Sequence, residues 1–204
     1  MLHINSLQLG VHHDENDLRK KIAKTVGCNI DEIKSIEIKK RSVDARKKPE
    51  IFYSYSIDVS VCNEEKYLKR NKSLSLAKPV IYVYKDARCL KAADIKRPVV
   101  VGFGPAGIFA ALLLAKNGLK PIVVERGECV EERKESVDRF WNEGKLNPES
   151  NVSFGEGGAG TFSDGKLNTL VKDTFGRNKF VLETLVEYGA PKEILYDNKP
   201  HIGT

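Results

Sequence analysis

Residues 98–125 read PVVVGFGPAGIFAALLLAKNGLKPIVVE. Three valines, Val99 to Val101, run straight into Gly102, Gly104 and Gly107, and an apolar segment rich in alanine and leucine follows to Lys116. A second β-branched run, Ile122 to Val124, ends on the acid Glu125. Strand, glycine turn, helix, strand and acid, in that order, are the physical specification of a βαβ unit that holds a dinucleotide. Gly102 lets the chain turn sharply out of the strand, Gly104 leaves no Cβ between the backbone and a pyrophosphate, and Gly107 lets the helix lie close on the strand. The helix starting near Pro105 offers unpaired N–H groups and a positive dipole end to the phosphates, and Pro105 suits a first turn that would not use its missing N–H. Glu125 lies 18 positions past Gly107, close to the spacing of a carboxylate that takes a ribose hydroxyl.

Around this unit the chain has 204 residues, 41% hydrophobic and 30% charged, the composition of an ordinary folded protein. The N-terminus MLHINSLQLGVHHDEN lacks the basic and apolar blocks of a signal peptide. The most apolar segment, Val99 to Ala115, is broken by glycines and a proline and is shorter than a membrane span. A soluble, cytoplasmic protein without membrane partners is expected. Cys28, Cys62, Cys89 and Cys129 are widely spaced, and His3, His12, His13 and His201 are scattered, so no metal site and no redox dithiol is indicated. The net charge of +6 is uneven: residues 1–97 carry 21 basic against 13 acidic side chains, and the remainder is slightly acidic. A solvated lysine-rich surface explains such a surplus more simply than nucleic acid does.

Upstream of the glycine unit, Leu2 to Leu9 reads as a strand, and Asp14 or Asn16 caps a helix with Leu18, Ile22 and Val26 at four-residue spacing and Gly27 at its end. Ile36 and Ile38 alternate with charged residues, a basic loop spans Arg41 to Pro49, and the clearest strand follows. In it Ile51, Tyr53, Tyr55, Ile57, Val59 and Val61 share one face, with Ser54, Ser56, Asp58 and Ser60 on the other. One or two helical turns at Asn63 to Arg70 and a strand at Val80 to Tyr84 complete a small α+β domain of ferredoxin-like type. The expected division is therefore 1–95 for this domain and 96–204 for an α/β, Rossmann-like domain, with a polar connector at Lys91 to Arg97.

Downstream, Val130, Val137 and Phe140 are expected to face inward from a helix that ends at Trp141, an anchoring core aromatic. Five glycines, Gly155, Gly157, Gly158, Gly160 and Gly165, then lie within the stretch NPESNVSFGEGGAGTFSDGKLNT from Asn147, which excludes regular structure and predicts a tight loop. Phe154 and Phe162 want burial and Thr161, Ser163 and Asp164 are polar, a composition suited to lining a flat polar ring system. A last helix is expected from Arg177 to Tyr188, with Val181, Leu185 and Tyr188 on one face and Gly189 at its end.

The segments RSVDARKK, VVVGFGPAG with Glu125–Arg126, FWNEGKLNPESNVSFGEGGAGTFSDGKLNT and the closing KPHIGT together resemble the bacterial NAD(FAD)-utilising dehydrogenases, flavoproteins with a glutathione-reductase-type FAD module. The resemblance runs from about Ile33 to Thr204, and the second glycine segment is its most specific part. It implies FAD, with Gly102, Gly104, Ala106 and Gly107 at the pyrophosphate, Pro105 in the same turn, Glu125 on the adenosine ribose, Arg126 beside the adenine, and Gly158, Ala159, Gly160 and Thr161 near the pyrophosphate or the flavin. The flavin would carry the hydride chemistry of a dehydrogenase acting on a small-molecule substrate, with NAD(P)H as a candidate electron donor or acceptor. No catalytic acid or base is named by it. It also implies a longer chain, so this sequence is expected to be an N-terminal portion with an incomplete parallel sheet.

Two other readings compete. An NAD-dependent dehydrogenase would use the same turn, although Glu125 would repel the 2′-phosphate of NADP. A basic nucleic-acid-binding protein would use the first domain, with Tyr53 and Tyr55 as stacking residues, yet both are in phase with Ile51, Ile57 and Val59 and so face the core.

Overall fold

A computed structural model describes residues 1–84, 96–167, 169 and 171–202. The chain divides into two compact units, one combining Met1–Tyr82 with Leu167–Ile202, the other Val83–Lys166. Sequence reasoning ran the second domain to the C-terminus; residues 167–202 instead cluster with the first unit. The residues around the expected connector, 85–95, lie outside the described residues.

In the first unit the strands are β1 (Leu2–Gly10), β2 (Ile33–Asp44), β3 (Phe52–Val61) and β4 (Leu74–Leu76), with α1 (Glu15–Val26) between β1 and β2 and α2 (Glu64–Arg70) between β3 and β4. They form a four-stranded antiparallel sheet in the order β2-β3-β1-β4. Each helix thus links two strands that have another strand between them. Asp14 starts α1 through a capping box, its carboxylate accepting the Asp17 N–H at 2.7 Å, and Gly27 ends it in the left-handed region. Leu18, Ile22 and Val26 are buried against Leu2, Ile4, Leu7, Tyr55, Ile57, Val59 and Val61 in one cluster. Full burial of an Ile22 or Ile57 side chain contributes about 1.5–3 kcal/mol. On the opposite face of β3 the carboxylate of Asp58 is also buried, answered by His3 Nδ1 at 2.6 Å and Lys39 Nζ at 3.8 Å.

Three sequence readings are corrected in this unit. The expected loop at Arg41 to Pro49 is shorter, because the β2–β3 ladder continues through Val43 opposite Tyr53 and Asp44 opposite Phe52. The last strand is Leu74–Leu76, paired with Leu2–Ile4, and not Val80–Tyr84. Residues 80–82 of the latter segment meet the start of the helix α5 (Arg177–Glu187), with the Tyr82 and Phe180 rings 5.3 Å apart and the Tyr82 backbone so close that a Cβ on Gly176 would sit 2.9 Å from its nitrogen. Within α5 the buried residues are Leu182 and Thr184, while Tyr188 is exposed.

Arg41 ties 167–202 to this unit, as does the pair of Lys179 with Glu37 at 3.3 Å. The Arg41 backbone pairs with Tyr196 and Asn198 along the outer edge of β2, and its guanidinium makes a bidentate pair with Asp197 at 2.7 and 3.0 Å. The same group lies 5.2 Å from the Tyr53 ring centre and 5.1 Å from that of Tyr196.

The second unit holds a parallel pair, β5 (Val99–Val101) beside β6 (Ile122–Val124), linked by α3 (Pro105–Lys116), and then α4 (Val130–Glu143). The buried face of α4 is Arg133, Ser136 and Val137. Val130 and Trp141, expected inside, are exposed, and the Trp141 ring lies 5.2 Å from that of Phe140.

Candidate functional site

The turn after β5 has two glycines that the fold itself requires. Gly102 has φ +92°, a left-handed conformation that a side chain strains. A Cβ on Gly107 would lie 1.9 Å from the Gly102 carbonyl oxygen, so α3 is seated against the turn at a distance only glycine allows. Gly104 is different. It is the N-cap of α3 at φ −78°, and a Cβ there would meet only the Gly158 Cα, at an ordinary 3.7 Å. Pro105 is the first residue of α3, and Pro105 and Ala106 are exposed.

Both sides of Phe103 are clamped. Its N–H donates to Glu125 Oε2 at 2.5 Å, and its carbonyl accepts the Gly157 N–H at 2.9 Å. The other Glu125 oxygen accepts the Gly127 N–H at 3.0 Å. These N–H donors, Gly127 first and then Phe103, hold the Glu125 carboxyl below the usual carboxylate range. The acid at the end of β6 therefore faces the glycine turn, and its ionised form is the one the turn binds.

The second glycine segment meets the first at this point. Gly157 and Gly158 take left-handed conformations and lead into a short 3₁₀ turn, Gly158–Phe162. A Cβ on Gly158 would lie 3.1 Å from both Gly104 Cα and Pro105 Cδ. Sequence spacing could not join residues 102–107 to 155–162; the folded chain places them in contact at the N-terminus of α3. Ala159, Gly160 and Thr161 are exposed on the rim. Phe154 and Phe162 are half-buried, each beneath an arginine, Arg126 at 4.7 Å and Arg133 at 4.9 Å. Arg126 is also paired with Glu149 at 3.0 and 3.2 Å.

Arg133 is the residue that sequence reasoning missed. It is fully buried, and its guanidinium donates to the carbonyls of Asn151 (2.9 Å), Val152 (3.1 Å) and Glu156 (2.6 Å). Burial pushes it down from the ordinary arginine value, and Glu125 pulls the other way. Gly155, at φ +124°, wraps the side chain so closely that a Cβ would sit 2.6 Å from Arg133 Cδ. A signal was present: Arg133 lies four and seven positions before Val137 and Phe140, on the stripe expected to face inward. A lone arginine on that stripe reads as a boundary unless the loop carbonyls it serves are known. Glu128 was missed too. Its N–H donates to Ser150 Oγ, its Oε1 accepts Asn147 Nδ2, and its Oε2 is buried without a hydrogen-bond partner among the described residues.

Elsewhere, Tyr55 is buried and Tyr53 half-buried on the core face of β3. An open cleft of about 680 Å³ in the first unit is lined by Lys20, Lys21 and Lys24, by His12 and His13, and by the acids Asp17 and Glu50. No helix among the described residues is long and apolar enough to cross a membrane.

Residues 1–60 match a family described as a domain of unknown function (DUF8436). Over its full length the chain is 50% identical to an uncharacterized protein of Clostridium beijerinckii. The chain spans 38% of the length of that relative.

Proposed function

We propose that the chain carries the dinucleotide site of an FAD-dependent oxidoreductase, with a Rossmann-like second unit behind a ferredoxin-like first one. The single observation that carries the reading is the contrast among three glycines. Gly102 and Gly107 answer to the fold, whereas Gly104 has an ordinary φ and a Cβ there would make only an ordinary contact, 3.7 Å from the Gly158 Cα. A ligand pressed against the backbone at that point gives it a reason. The donor set fits a diphosphate: the N-terminus of the twelve-residue α3 lies beside a second run of small residues, Gly158, Ala159 and Gly160, ending on the Thr161 hydroxyl.

In this reading Gly102, Gly104, Pro105, Ala106 and Gly107 form one side of the phosphate cradle, and Gly158 to Thr161 the other. Glu125 holds the turn through Phe103, and its remaining lone pairs take a ribose hydroxyl. Arg126 stands near the adenine, held by Glu149. Bound FAD would supply hydride transfer, with NAD(P)H as electron donor or acceptor. The protein's own task is to orient the dinucleotide and to keep its phosphates against N–H groups. NAD as the resident cofactor is the alternative, since the same cradle serves it. Nucleic-acid binding finds little support, because the Tyr55 ring is buried and offers no stacking platform.

The test is the identity of the nucleotide released by heat from the purified chain. Release of FAD supports the reading, NAD moves it to the alternative, and the absence of any nucleotide, with no binding on titration, overturns it.

A further inference from the structure

We propose that Arg133 is a positioning residue for the diphosphate, acting through two hydrogen-bonded peptide groups. This rests on the dinucleotide reading of the same site. The peptide joining Glu156 to Gly157 has its carbonyl on Arg133 Nη1 at 2.6 Å and its N–H on the Phe103 carbonyl at 2.9 Å. The C=O and N–H of a planar trans peptide point in opposite directions, so fixing one end aims the other. The Phe103 carbonyl, in turn, belongs to the peptide whose nitrogen is Gly104. The orientation of the Gly104 N–H is therefore set by a chain of two peptides that starts at a guanidinium inside the unit. Glu125 holds the near side of Phe103, and Arg133 holds the far side at one remove.

The same guanidinium also gathers Asn151 and Val152, so it closes the loop 151–156 on itself before the loop reaches the turn. An arginine is needed for that, because its planar fork serves three carbonyls lying in different directions. A lysine keeps the charge but spans them poorly, and a methionine keeps the stem and leaves the carbonyls without a donor. Thr161 Oγ1 bonds the Glu156 carbonyl as well, at 3.2 Å, which couples the rim of the second glycine segment to the same peptide. The ligand class that such a device serves is an anion seated on the turn, and the group it discriminates is the diphosphate, not the nucleoside.

The experiment is calorimetric titration of the full 204-residue chain with ADP and, separately, with adenosine. The wild-type protein is expected to bind ADP at least about tenfold more tightly than adenosine. In Arg133→Met that preference is expected to fall to about threefold or less while adenosine affinity stays within about twofold of wild type. Arg133→Lys, which keeps the charge and is the variant to read if methionine prevents folding, is expected to lose part of the preference. An arginine that only stabilised the unit would lower both ligands together, and that result overturns the assignment. So does full retention of the preference in the lysine or the methionine variant. A wild-type protein with no preference for ADP overturns the dinucleotide reading itself, and the Arg133 assignment with it.

Discussion

The antiparallel sheet of the first unit and the parallel pair of the second are built from similar β-branched residues and have opposite fates. In the first, Ile57 and Val59 are completely buried and α1 covers them. In the second, Val99 is 59% and Val101 85% exposed, Ile122 to Val124 are all well exposed, and no residue of α3 is buried except the backbone-bonded neighbour Asn117 beyond its end. An alternating strand needs one covering layer, and the first unit supplies it from its own helices. A continuous apolar strand of the parallel kind asks for cover on both faces, and the described residues do not provide it. The second unit spends its order on a different target: glycines, two acids and a buried arginine that fix the path of two loops around the N-terminus of α3.

This contrast can be broken by substitution. The largest effect is expected for Ile57→Ala, where loss of a buried side chain destabilises the first unit by about 2–5 kcal/mol in denaturant melts. Gly107→Ala comes next. Its Cβ has a carbonyl oxygen at 1.9 Å, and forcing α3 away from the turn should destabilise the second unit by about 1–3 kcal/mol, with the first unit unchanged. Glu125→Gln is expected to lose about 1–2 kcal/mol of local stability, read as faster hydrogen exchange at Phe103 and Gly127, because an amide offers one acceptor oxygen where the carboxylate offers two. The smallest effect, within about 0.5 kcal/mol, is expected for Val101→Thr at the exposed end of β5. If that substitution proved as damaging as Ile57→Ala, the contrast between the two sheets would be lost.

Glu125 also sets a pH dependence. Its folded-state value lies below the ordinary carboxylate range, so the stability it lends the turn is fully present above that range and lost as the pH falls through the depressed value. The protection factor at Phe103, observed exchange corrected for the intrinsic rate, should fall in the wild type as the pH drops below the ordinary carboxylate range. In the glutamine variant it should show no such fall over the same interval.

The first unit was legible because its signals are local. Asp14, the four-residue spacing of Leu18, Ile22 and Val26, and the strict alternation of Tyr53 to Val61 each name an element and the face it buries. Val80 to Tyr84 misled because it carries the same alternation, yet β1 had already been met by Leu74–Leu76 and the tyrosine was taken up by Phe180. The place of residues 167–202 was illegible for a different reason: the pairing of Arg41 with Asp197 joins positions 156 apart, and nothing in either segment announces the other. In the candidate site, the turn at Gly102 to Gly107 and the acid at Glu125 could be read from spacing. The meeting of Gly104 with Gly158, and the buried Arg133 that organises it, depends on how a glycine-rich loop folds back, which spacing does not specify.

Gly104→Ala is the most direct test of the central claim, because its Cβ would make only an ordinary contact, 3.7 Å from the Gly158 Cα, and the substitution is expected to change stability by less than about 1 kcal/mol. The measurement is flavin absorbance of the purified, desalted chain, wild type against variant, after incubation with FAD. The account expects a yellow wild-type protein and a colourless variant with the same melting profile. A folded variant that keeps its flavin, or a wild-type chain that takes up none, would contradict it.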